Sequence, residues 1–226
     1  MISKTVFEKS IQEIELINNN VSDDNKNCLT YYKVIILFLC TKLEKYVVDS
    51  AKEYIIGIKN KGIKSKLLPN GLKELILQNE LDKIQKVGIH KYSIGNEYKN
   101  GAVNFSLIWD DSFVISYLDE DDFYIELSKH GTNTINDMYK KIGFDALVEK
   151  VPNYEIIDIV AGVSTIVSNS VENILNKIVG MRNNIIHQDA TPSITKQDIE
   201  LFIQVSKHFV VWIDKYLDKE LAKIHA

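Results

Sequence analysis

The residues best suited to chemistry lie close together in the segment 170–190, SVENILNKIVGMRNNIIHQDA. Among 27 basic residues Arg182 is the single arginine, and it is followed directly by Asn183 and, five positions on, by His187. A fixed guanidinium holds phosphate oxygens as negative charge builds on them, and an imidazole near neutrality takes or gives a proton. At helical spacing, Val171, Ile174, Leu175, Ile178, Val179, Met181, Ile185 and Ile186 fall in one arc of roughly 160°, with Arg182 near its centre. A charge placed where a leucine is expected is costly unless a carboxylate or phosphate compensates it. Asn176, Gly180, Asn183 and His187 form a polar strip on the opposite side. Gly180 weakens the helix by roughly 1 kcal/mol relative to alanine but leaves room for another backbone or a ligand.

Helical arithmetic sets a condition on this pair. Arg182 and His187 are about 140° apart around a regular helix, so one straight helix does not aim both at a single point. Either the helix ends before His187, or the site is assembled from two copies across a two-fold axis. Plainer roles are also open from spacing alone. Arg182 could form a buried ion pair, with Glu44 as partner, and His187 could cap its helix.

The elements that must carry these groups read as helices. The first runs through Val6, Ile11, Ile14 and Ile17. The second is long, about 29–58, with the apolar run Val34 to Cys40 and the pair Glu44 and Lys45. A third spans about 72–86, a short one 134–141 is stopped by Gly143, and two long ones close the chain, 170–187 and about 195–224. Thr195 and Asp198 make a capping box at the start of the last. The stretch 88–122 differs in texture: Phe105, Leu107 and Trp109, then Phe113, Ile115 and Tyr117, alternate at the strand period and predict a short hairpin turning at Asp110 and Asp111. The expected architecture is one all-α domain over 1–226 with a small irregular or β-hairpin insertion at about 88–122.

Composition bounds the function. A net charge of −4 makes an unselective grip on nucleic acid or anionic lipid unfavourable, so a polyanion must be held locally. The longest apolar run is too short to span a bilayer, and Met1 to Ile14 lacks the pattern of a signal peptide, so neither membrane insertion nor export is expected. Two cysteines, Cys28 and Cys40, suit a reducing cytoplasm. His90, His130, His208 and His225 share no metal-ligand spacing, and the acidic run Asp119 to Asp122 reads as an exposed loop; no metal or cofactor is expected. Lys59, Lys61, Lys64, Lys66 and Lys73 form a run without acids that could follow a phosphate backbone but more often marks a solvated face.

The segment Arg182-Asn183-Asn184-Ile185-Ile186-His187 resembles the arginine, polar residue, spacer and histidine motif of HEPN domains. Leu43-Glu44-Lys45-Tyr46-Val47 is similar to the acidic-aromatic stretch of the RiboL-PSP-HEPN subgroup. Asn133-Thr134-Ile135, Met138, Ile142-Gly143 and the helix from Thr195 to Tyr216 follow that subgroup's order. The resemblance implies a HEPN-type helical bundle that dimerises and, in active members, cuts RNA without a metal, often in toxin-antitoxin or phage-defence systems with a partner protein. It implies His187 as general base or acid, Arg182 as phosphate clamp, and Asn183 and Glu44 as orienting residues. Some members carry a tyrosine two residues after the histidine, where a nucleotidyltransferase silences them; here that position is Asp189. A non-catalytic HEPN module that binds RNA or a partner protein is the alternative reading.

Overall fold

A computed structural model describes residues 1–226 apart from 23–25, 88–95, 115–130, 161–162, 190, 192 and 225–226. Its helices are α1 (Ile2–Asn19), α2 (Cys28–Asn60), α3 (Asn70–Val87), α4 (Asn96–Leu107), α5 (Thr132–Lys141), α6 (Val171–Gln188) and α7 (Lys196–Lys223), with strands β1 (Tyr154–Val160) and β2 (Val163–Asn169) between α5 and α6.

The central pole is α2. Its apolar residues recur on a continuous stripe, Tyr32, Ile35, Ile36, Leu39, Leu43, Tyr46, Val47, Ala51, Tyr54, Ile55 and Ile58, and all of them are buried. Helix α1 lies antiparallel against it: Ser3 near the start of α1 donates its backbone N–H to Glu53 at 2.8 Å, and Phe7 meets the Tyr46 ring at 5.8 Å. Helix α7 runs alongside α2 in the same direction. The Tyr46 hydroxyl donates to the Val210 carbonyl at 3.0 Å, and Lys61 donates to the Ile224 carbonyl at 2.8 Å. The pair α6 and α7 then folds back on itself, and Lys177 meets Asp198 at 3.2 Å across it. Burying α6 against both α2 and α7 is what brings its stripe, and Arg182 with it, to the long helix.

The helix ends follow the local sequence. Thr195 accepts from the Asp198 N–H while Asp198 accepts from the Thr195 N–H, the reciprocal capping box expected from the sequence. Ser170 caps α6 by accepting from the Asn173 N–H. Gly143, just past α5, takes φ +100, a left-handed conformation that a side chain resists, and the chain turns there.

The β-hairpin is present but elsewhere in the chain. Phe105 and Leu107 are helical in α4, which packs on α3. Phe113 and Val114 pair instead with Lys64 and Ser65, through a Lys64–Val114 bridge and a Ser65 N–H to Phe113 carbonyl bond of 2.8 Å. Trp109 is exposed, and the chain does turn at Asp110 and Asp111, where the Phe113 N–H donates to the Asp110 carbonyl at 3.0 Å. Ile115 and Tyr117 lie outside the described residues, as do Asp119 to Asp122, His90, His130 and His225. The strands that do form pair antiparallel from Tyr154↔Asn169 to Val160↔Val163 without a bulge. Their sequence is dense in isoleucine and valine, residue types that suit a pleated surface.

Candidate functional site

Helices α2 and α6 lie against each other so that position 33 is next to 189 and positions 40 and 44 are next to 182. Lys33 donates to an Asp189 carboxylate oxygen at 3.1 Å, and the Arg182 charge acts on both Cys40 and Glu44. Of the four residues singled out from the sequence, Arg182, Asn183 and Glu44 come together where α2 meets α6. All three are half-buried. Arg182 donates through one terminal nitrogen to the Asn183 amide oxygen at 3.0 Å, so the neighbour on the helix holds the guanidinium.

Arg182 does lie on the buried line of α6, between Ile178 and Ile185, but at its open edge rather than in its centre. The arc is also narrower than its periodicity implied: Val171, Leu175, Ile178 and Ile185 are buried, Ile174, Val179 and Met181 are half-buried, and Ile186 is 50% exposed. Arg182 is therefore half-buried rather than sealed in the core.

Electrostatics argue about the purpose of the pair. Burial pushes the Glu44 carboxyl above its ordinary value, with the Arg182 charge and the Cys40 thiol pulling the other way. The Cys40 thiol, which points at Glu44 across 3.9 Å, is raised to about 12 by burial and by that carboxylate. An ion pair retained for stability lowers its carboxylate's pKa; here desolvation outweighs the attraction. The acid is held in place by its motif neighbours, since Leu43, Tyr46 and Val47 are buried and Tyr46 is bonded to α7.

His187 is placed differently. Helix α6 continues through Gln188 and is closed by Asp189 in the left-handed conformation, φ 46. His187 thus stays on the regular helix, exposed in the last turn, and turns to a different side from Arg182. Of the two arrangements open from the sequence, an early helix end is not the one adopted.

The polar strip divides as well. Asn176 caps α5, its amide oxygen accepting from the Thr132 N–H at 3.0 Å and the Thr132 hydroxyl at 3.1 Å. A Cβ on Gly180 would meet nothing within 4 Å. His208 bonds the Pro152 carbonyl at 2.8 Å and packs on Tyr154, a role at the root of the hairpin. The lysine run sits at the far end of α2, beginning about 20 Å along the axis from Glu44, and Lys61 there is used on α7. Among the described residues no group of three or more His, Cys, Asp or Glu is placed to hold a metal ion, and no helix is long and apolar enough to cross a membrane.

Sequence reasoning passed over Lys33 and Cys40 as neighbours of the site. Both fall on the α2 face that includes Glu44, at the i, i+7 and i, i+4 spacings, which is the signal that would have found them. Beside this face, Tyr31, Val34 and Phe38 are exposed by 43%, 38% and 47%, an apolar stripe flanking the groove.

The family model RiboL-PSP-HEPN matches residues 6–219. The chain belongs to that family. Its helical bundle with one small antiparallel hairpin agrees with the HEPN architecture implied by the arginine-to-histidine motif, and the family has nuclease or otherwise RNA-related functions. HEPN domains typically bind RNA and dimerise. No curated protein and no solved structure matches the chain.

Proposed function

We propose that this HEPN protein is a homodimeric endoribonuclease that needs no metal, serving a toxin-antitoxin or phage-defence system in the cytoplasm. The observation that carries the reading is the Arg182–Asn183–Glu44 cluster where α2 meets α6: the only arginine is half-buried and held by Asn183, beside the Glu44 carboxyl, which is kept there at a cost in desolvation that the Arg182 charge does not offset. Such a cost is retained where a polyanion is to be met. The exposed stripe of Tyr31, Val34 and Phe38, with Ile186, offers a second copy an apolar seat beside that cluster.

In the proposed reaction the ribose 2′-oxygen attacks the adjacent phosphorus. An imidazole takes the 2′-hydroxyl proton, the bond from phosphorus to the 5′-oxygen breaks, and a protonated imidazole supplies the proton to that leaving oxygen. The products are a 2′,3′-cyclic phosphate and a 5′-hydroxyl. Arg182 balances the charge that builds on the non-bridging oxygens, while Asn183 and Glu44 orient the guanidinium. Because His187 turns away from Arg182 on its own helix, the imidazole at each guanidinium comes from the other copy, taking the proton of the 2′-hydroxyl and returning it to the leaving 5′-oxygen.

Incubation of the purified chain with total RNA in EDTA tests this directly. Cleavage to cyclic-phosphate ends is expected, falling by about 100-fold or more in Arg182→Ala and in His187→Ala. Activity that persists in both variants would mark a contaminant. No cleavage by folded, dimeric wild-type protein across total RNA would favour a binding module in which the same groove holds RNA or a partner without cutting.

A further inference from the structure

The β1–β2 ribbon is anchored at its root by Tyr154, which packs against the core and on His208, and has no further strand paired to it among the described residues. Among the described residues, apolar side chains stand open on both of its faces. Ile156 and Val167 pair on one face with exposures of 38% and 45%; Ile157 and Ile166 pair on the other with 68% and 66%. Two strands alone are marginal in water, and at least three with a covered face are needed for independent stability. Exposed edges are ordinarily guarded by lysine, proline or a bulge. Here the register is unbroken, and neither strand contains a lysine or a proline.

The charges choose the occupant. β1 contains Glu155 and Asp158, whereas β2, Val163 to Asn169, contains no charged residue. From Val151 to Asn176 there is no lysine or arginine, so an RNA backbone or an anionic lipid surface would meet only repulsion. Two copies joined through β1 would set carboxylates against carboxylates, while two copies joined through β2 bring neutral strands together. We propose that the outer edge of β2 pairs antiparallel with β2 of a second copy, forming a four-stranded sheet in the order β1, β2, β2 and β1 across a two-fold axis.

This contact is separate from the α2–α6 groove, since Arg182 lies about 18 Å along α6 from the foot of β2. Two different isologous contacts on one chain close as a tetramer or continue as a filament.

Sedimentation equilibrium of the full chain tests the proposal. The double variant Ile166→Lys with Ser168→Lys places like charges across the β2 junction and is expected to lower the assembly mass by a factor of two or more. Ile157→Lys, which removes an equally exposed isoleucine from β1, should leave it unchanged. Circular dichroism checks that both variants stay folded. In a Cys28→Ser background, single cysteines at Ile166, Val167 or Ser168 should give a disulfide-linked dimer under mild oxidation, and Ile157→Cys should not; the link should survive Phe38→Lys in the groove. A mass unmoved by the paired lysines, an equal loss from Ile157→Lys, or no cross-link from any β2 position would overturn the proposal.

Discussion

At the scale of single residues, Glu44 and Arg182 can be separated from an ordinary stabilising ion pair by their response to pH. The Glu44 carboxyl is raised above its ordinary value of 4.5, chiefly by burial. A group whose pKa is higher in the folded than in the unfolded chain contributes stability below the unfolded value and loses it as pH rises through the folded one. Glu44→Gln removes that loss. Thermal melts should therefore find the variant at least as stable as wild type at pH 7, with wild type regaining ground as pH falls toward 4.5 and the regain complete below it. A lower melting temperature for Glu44→Gln at neutral pH would mean instead that the pair holds the helices together. Arg182→Lys distinguishes the proposed clamp from a simple point charge: lysine keeps the charge but not the fork that grips both Asn183 and a phosphate, so cleavage should fall nearly as far as in Arg182→Ala.

The two closing helices make predictions of their own. Nothing within 4 Å meets a Cβ built on Gly180, so Gly180→Ala should stabilise α6 by about 0.5–1 kcal/mol, readable in urea unfolding. A destabilised variant would imply a contact of Gly180 absent from the single chain. At the start of α7, burial works against the Asp198 carboxylate, but the Thr195 N–H, Lys177 and the Thr195 hydroxyl together hold its pKa below the ordinary 3.8. Thr195→Ala should cost about 1 kcal/mol and lower the melting temperature by about 2–4 °C. The part of this support that depends on charge is present above pH 3.8 and disappears as acid protonates Asp198, so an Asp198→Asn deficit should shrink in acid.

For the whole molecule the decisive property is whether the imidazole and the guanidinium of one cut come from one chain or two. Co-expressed Arg182→Ala and His187→Ala copies form mixed dimers that retain one intact Arg182 and one intact His187 on different chains. If each site draws on both copies, the mixture should cleave RNA although neither variant alone does; persistent inactivity with mixed dimers verified by mass would exclude sharing. Much of this protein was legible before folding was considered. The stripe of α2, the capping box at Thr195, the turn at Gly143 and the Arg182–His187 spacing all follow from local periodicity and local hydrogen bonding, which neighbours in sequence determine. The hairpin was misplaced because alternation at Phe105, Leu107 and Trp109 is compatible with either period, and packing on α3 made 96–107 a helix, while the β-branched run of 154–169 was the stronger strand signal. Sequence alone determined which residues could do chemistry and on which helices they lie. Only the tertiary structure decided that Glu44 and Cys40 face Arg182, that Lys33 meets Asp189, and that α6 runs on past His187, because those outcomes depend on how α2 and α6 share one buried face across more than a hundred intervening residues.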